Sequence, residues 1–252
     1  MKTLLQQKRS RRTGILIGTG TIIAVVVIAV AVYLGTYYHA SAEAMAVLDA
    51  SSSPVTIEEL SGQRIIAFVP DAPIAGLIFY PGGKVQYEAY APLLEECASR
   101  GILCVLVHMP GNLAVLDRDA ADGVMELYPE VADWYIGGHS LGGAMAASYA
   151  AKHAGELDGL ILLAAYSTED LRGSGLRVLT AYGTEDGVLN REKYAEALAN
   201  LPEGYTEIII DGGCHGYFGS YGAQSGDGVP TISAGEQIGQ TVDAIAAMVI
   251  SG

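Results

Sequence analysis

The 252-residue chain is predicted to form one three-layer α/β domain with a mainly parallel sheet, preceded by a single transmembrane helix. Three observations predict it. Short runs rich in Ile, Val and Leu alternate with helix-like segments, as strands covered on both faces by helices require. One of these runs enters a serine turn flanked by glycines and leads directly into an alanine-rich helix. An uncharged apolar stretch follows a basic N-terminus.

Lys2, Lys8, Arg9, Arg11 and Arg12 precede the apolar run Gly14–Leu34 (GILIGTGTIIAVVVIAVAVYL). At 1.5 Å per residue that run reaches across a hydrocarbon core of about 30 Å. Tyr33, Tyr37 and Tyr38 stand at its far end, where aromatic rings favour the membrane interface. The next basic residue is Arg64. The positive-inside bias therefore puts residues 1–13 in the cytoplasm, a signal anchor over 14–38 in the cell membrane, and the remainder outside. A signal peptide cleaved after Ala42, releasing a secreted form, is the competing reading, because Ala40-Ser41-Ala42 resembles a cleavage site. The apolar region of such a peptide spans only about 7–15 residues, which favours the uncleaved anchor.

Residues 39–63 are small and polar and read as a linker, so the folded domain is expected over 64–252. Strands are expected at Arg64–Val69, Ala75–Tyr80, Leu103–Val107, Asp133–Gly137, Leu157–Leu163, Leu176–Tyr182 and Thr206–Ile210. Helices are expected at Tyr87–Arg100, Asp117–Tyr128, Leu141–Lys152 and Arg191–Asn200. A last one should run from Ser233 or Ala234 to Ile250, opened by a Ser233/Glu236 capping box.

Gly138, Ser140 and Gly142 form a Gly-x-Ser-x-Gly pentapeptide between the Asp133–Gly137 strand and the Leu141–Lys152 helix. By composition alone such a pentapeptide would arise roughly 0.2 times, so the bare pattern carries little weight. The strand–turn–helix context makes it a nucleophile elbow, with a serine on a strained turn above the sheet. A serine hydroxyl needs a base to take its proton and an acid to orient that base. Of five histidines, His39 lies beside the membrane, and His108 ends a strand before Met109-Pro110. His153 closes a helix, and His139 adjoins the serine, so its side chain should point away. His215 remains, in the glycine-rich loop after the last strand, where an open sheet delivers its base. Asp186, beside Gly187 after the penultimate strand, is the preferred acid, with Glu185 and then Asp211 as rivals. The oxyanion hole needs two backbone amides. Leu141, following the nucleophile, supplies one, and Gly83 or Lys84 in Pro81-Gly82-Gly83-Lys84-Val85 the other.

These segments resemble a family. Phe79–Val85, Gly137–Gly143, Gly183–Gly187 and Gly212–Gly219 look like those of α/β-hydrolase fold proteins, closest to a compact, lidless group similar to dienelactone hydrolases. The resemblance covers about residues 55–250. It implies an α/β-hydrolase sandwich, the triad Ser140, Asp186 and His215, and no cofactor. It leaves the reaction open among esterases, acyltransferases and others. A serine hydrolase cleaving carboxylic esters is the main expectation. An acyltransferase or a non-catalytic surface binding module are the alternatives. Leu163–Leu176 is too short to hold a lid, so short acyl chains are expected. Lys84, Tyr217, Phe218 and Tyr221 are the candidate substrate-binding residues.

Charge and cysteine content narrow the partners. Beyond the anchor, nine basic residues face all 28 acidic ones, a balance of −19 that repels nucleic acid and anionic head groups. The expected partners are a small-molecule or lipid-like ester and, through the N-terminal helix, the membrane. Three cysteines are too few for a disulfide framework. Cys97 and Cys104 could pair across a helix–strand junction, but buried, unpaired thiols are the favoured reading. Cys214 precedes His215 without a second Cys/His cluster, so no metal site is expected.

Overall fold

The computed structural model describes residue 19 and residues 21–49, 55–60, 62 and 64–250. The basic segment 1–13 and residues 14–18 and 20 of the apolar run lie outside them. The chain divides into two units at Tyr37/Tyr38. The first contains a helix over residues 21–35 (α1), with Ile22, Val25, Val26 and Ile28 exposed. Among the described residues no helix is long and apolar enough to cross a membrane.

The second unit is built on an eight-stranded sheet. Its strands are β1 (Val55–Leu60), β2 (Ile65–Pro70), β3 (Ala75–Tyr80), β4 (Ile102–Val107), β5 (Trp134–His139), β6 (Gly159–Leu163), β7 (Arg177–Gly183) and β8 (Thr206–Ile210). Their order is β1-β2-β4-β3-β5-β6-β7-β8. The pairs β1–β2 and β2–β4 are antiparallel and all others parallel. Each expected strand is present, displaced by no more than two residues.

Parity along the strands sends side chains into two cores, one on each face of the sheet. Leu77 and Phe79 of β3 join Leu94, Cys104, Val242 and Ile245 on one face. Ile78 and Tyr80 join Val105, Ile136, Ala146 and Leu162 on the other. Helices α2 (Ala42–Asp49), α3 (Ala91–Ser99) and α6 (Ala234–Ile250) cover the first face, and α4 (Leu141–Lys152) and α5 (Arg191–Ala197) the second. The expected capping box opens α6: Glu236 N–H donates to Ser233 Oγ at 3.2 Å, and Ser233 N–H to Glu236 Oε2 at 2.8 Å.

Two expectations are corrected. The segment 39–63 is not a linker, because it contains α2 and β1. Ser41 caps α2 by accepting the Ala44 N–H at 3.2 Å, and Ala, Met and Leu favour helix within it. As an edge strand, β1 has one partner and needs few apolar residues, so its Thr and Glu positions imitate a linker. Asp117–Tyr128 is not an α-helix but a set of turns ending in a short 3₁₀ segment, Met125–Leu127. Gly123 takes φ +75° there, and the Tyr80 hydroxyl binds the backbone instead, accepting from Ala121 N–H and donating to Arg118 C=O at 2.9 Å each.

Candidate active site

Ser140 sits between β5 and α4 at φ 52°, ψ −121°. A non-glycine residue in that region costs roughly 1–3 kcal/mol, so the surroundings must enforce it. They do so through close approach. A Cβ on Gly138 would stand 2.6 Å from the Tyr80 carbonyl oxygen, and one on Gly142 would fall on the Tyr80 and Pro81 carbonyl oxygens. Glycine at both positions lets α4 begin against the end of β3. The Ser140 N–H is tied to the Leu163 carbonyl at 2.9 Å.

His215 and Asp186 are brought together from the loops after β8 and β7, with His215 Nδ1 2.9 Å from Asp186 Oδ2. Both side chains are almost fully buried. Asp186 Oδ1 accepts the Val188 and Leu189 N–H groups at 2.8 Å each, which fixes the carboxylate. Its position assigns the proton of neutral His215 to Nδ1. Nε2 is buried without a hydrogen-bond partner, so His215 is not hydrogen-bonded to Ser140, and its ring lies 4.6 Å from that of His139, the residue before Ser140. Glu185 is exposed and takes the Thr184 hydroxyl at 3.1 Å, and Asp211 is exposed too.

Amide accounting singles out one donor in the loop after β3. Gly82 N–H donates to Tyr90 Oη at 2.9 Å, Lys84 N–H to the Asn112 carbonyl at 2.7 Å, and Val85 N–H to the Gly82 carbonyl at 3.2 Å. Pro81 has no N–H. Gly83 N–H is the remaining amide and, among the described residues, has no acceptor. A Cβ on Gly83 would lie 2.9 Å from Leu141 Cδ2, so this residue abuts the one after the serine. As the first residue of α4, Leu141 has no intrahelical acceptor for its own amide. Of the two alternatives, Gly83 is thus available and the Lys84 amide is occupied.

His139 was not expected at the site. Parity along β5 turns it to the α3/α6 face, where its ring centroid lies 4.6 Å from that of His215. Tyr90 Oη accepts the Gly82 N–H, so its own proton goes to His139 Nδ1, 2.8 Å away, and His139 carries its proton on Nε2. Burial, then the neighbouring His215 charge, pushes the His139 pKa well below the usual imidazole value, although the His215 backbone opposes this.

Asp227 is the second unexpected member. Its Oδ1 accepts N–H groups from Gly187 and His215 at 3.1 Å and from Gly228 at 2.9 Å, and its Oδ2 accepts Gly216 N–H at 2.8 Å. One carboxylate thereby clamps the loop of Asp186 to the loop of His215. Burial alone would raise its pKa, but the four amides together outweigh burial and lower it.

The aromatic residues of the long loop are largely buried. Phe218 is 0% and Tyr221 7% exposed, with rings 5.7 and 6.5 Å from His139. Both rings pack near His139, where burying apolar surface is favourable. Tyr217 is half-buried. A cavity of about 1000 Å³, lined in part by Arg177, Leu201, Tyr205 and Met248, opens at the other end of the strands, away from Ser140.

No curated protein matches the sequence. Solved structures share the fold, and at these identities the likeness is one of fold alone. TT1662 from Thermus thermophilus is 17% identical with a TM-score of 0.56, covering 77% of this chain and 98% of its own. Est1E from Butyrivibrio proteoclasticus is 14% identical at TM-score 0.55, covering 79% and 100%. A dienelactone hydrolase from Anabaena variabilis is 14% identical at TM-score 0.55, covering 77% and 98%. The alpha/beta hydrolase family profile matches residues 76–239, well over half of the sequence, and the chain belongs to that family.

Proposed function

We propose that the protein is a membrane-anchored, extracytoplasmic serine hydrolase that cleaves carboxylic esters, with a preference for short acyl chains. The supporting observation is the arrangement of His215. Asp186 holds its Nδ1, its Nε2, the proton-accepting atom, is unpartnered, and its ring packs against that of His139, the residue before Ser140. In this reading Ser140 Oγ attacks the acyl carbon while its proton passes to His215 Nε2. The Leu141 and Gly83 N–H groups stabilise the oxyanion, and His215 returns the proton to the departing alcohol. Water, deprotonated by His215, then releases the acid from Ser140.

Anchoring is supported by the exposed apolar side chains of α1 and by the basic residues before it. Short chains are supported by the 13-residue connection 164–176 between β6 and β7 and by the burial of Phe218 and Tyr221, which leaves little wall for a long tail. A p-nitrophenyl ester series with the full chain tests the reading. The expected maximum lies at roughly two to six acyl carbons, because each methylene adds up to ~0.8 kcal/mol only while it meets wall. A maximum at ten or more carbons, on the order of a full tail by the same rule, overturns the short-chain element. No hydrolysis of any member overturns the esterase reading. Protease added outside intact cells should remove the domain, and its protection there would contradict the orientation.

A further inference from the structure

The four residues Tyr38–Ser41, at the start of the second unit, join the two loops on either side of the proposed site. Tyr38 N–H donates to the Lys84 carbonyl at 2.7 Å, and Gln86 N–H donates to the Tyr38 carbonyl at 2.8 Å, a parallel bridge onto the loop after β3. Ala40 N–H adds a bond to Gln86 Oε1 at 3.0 Å. Towards the base-bearing loop, Ser41 N–H donates to the Ser220 carbonyl at 2.7 Å, and Ser225 N–H to Tyr38 Oη at 3.0 Å. The Tyr38 ring also packs 5.6 Å from that of Tyr221.

These bonds act on the backbone next to Gly83. The peptide carrying the unpaired Gly83 amide is held through its Gly82 carbonyl, which accepts the Val85 N–H at 3.2 Å, and the two peptides that follow are held through Lys84 N–H to Asn112 and Lys84 C=O to Tyr38, so the Gly83 amide has little freedom to turn. A donor held before the reaction stabilises developing charge in the transition state more than it helps substrate binding. We propose that Tyr38–Ser41 is a positioning strap for the oxyanion loop, and that the enzyme is competent only while these residues stay attached. The proposal rests on the serine-hydrolase reading above. Cleavage after Ala42 would remove all five bonds, so release from an anchor would also silence the enzyme.

The test uses the full chain, with kcat, KM, thermal midpoint and affinity for an alkylboronic acid that mimics the tetrahedral adduct. Tyr38→Pro removes the N–H that holds Lys84. It is expected to lower kcat and boronic-acid affinity together by roughly 10²-fold, the scale of one lost oxyanion donor, with KM within about threefold. Tyr38→Phe, which keeps the bridge and loses only the Ser225 bond, should recover all but about threefold of that loss. Gln86→Leu, which removes only the Ala40 bond, should lower kcat and boronic-acid affinity by about threefold and covers the case in which Tyr38→Pro does not fold. Unchanged kcat and boronic-acid affinity in a folded Tyr38→Pro chain, or in Gln86→Leu, overturns the strap. A fully active natural form beginning at Glu43 does the same. Failure of the hydrolase reading is distinguishable, because then the unsubstituted chain would neither turn over esters nor bind the boronic acid.

Discussion

Tyr90 Oη stands 2.8 Å from His139 Nδ1 and receives the Gly82 N–H at 2.9 Å, so one hydroxyl links the loop after β3 to the histidine beside Ser140. Tyr90→Phe keeps the ring and strands both partners. Leaving buried groups unpaired costs about 1–3 kcal/mol, so thermal stability should fall by that amount. Activity should fall by roughly tenfold in kcat as the oxyanion loop loosens. Steady-state kinetics and a thermal melt on the same preparation check both; unaltered kcat would remove this link from the account.

Asp227 joins the Asp186 and His215 loops through four backbone amides. Asp227→Ala leaves those amides without an acceptor, and kcat should drop by at least about tenfold with loss of stability. The pH dependence has a definite sign. The folded-state pKa is depressed, so the contribution is complete above the ordinary carboxylate value of about 3.9 and is lost as pH falls below it. Melts between neutral and acid pH should show the native chain losing part of its advantage over Asp227→Ala only below about pH 4.

Asp186 and Glu185 are neighbours in sequence with opposite environments, one buried against His215 and the other exposed. Asp186→Asn should therefore cut hydrolysis by on the order of 10³–10⁴, whereas Glu185→Gln should change it by less than about twofold. A more damaging Glu185→Gln would reassign the acid.

Cys97, Cys104 and Cys214 are buried and free. Burial, the largest cause, and the nearby Asp227 charge push the Cys214 thiol up to about 12, and burial raises Cys104 well above the ordinary thiol value. At pH 8 the native chain should resist iodoacetamide, and all three thiols should react after denaturation. Rapid native alkylation at Cys214 would contradict its buried placement.

The strands, the strained serine turn and the Asp186–His215 pair were legible because each has a local signature. A fully buried strand is uniformly apolar, an elbow demands glycine at fixed offsets, and loop residues at strand ends announce themselves by order. What escaped depends on contacts between distant segments. Asp227 is an ordinary loop aspartate until Gly187, His215 and Gly216 converge on it. The adjacency of His139 to Ser140 suggests that its side chain points away, but strand parity turns it towards the face that receives His215. The β1 strand and the strap at Tyr38 resemble linker because an edge strand and a backbone bridge ask little of side chains.

The central claim is that Ser140 is a nucleophile activated by His215. Its most direct measurement is labelling of the full chain with a fluorophosphonate, followed by peptide mass spectrometry. The account expects a single covalent adduct on Ser140, formed at a rate that His215→Ala lowers by on the order of 10³-fold or more. No adduct on Ser140, or labelling that proceeds equally fast in His215→Ala, would contradict it.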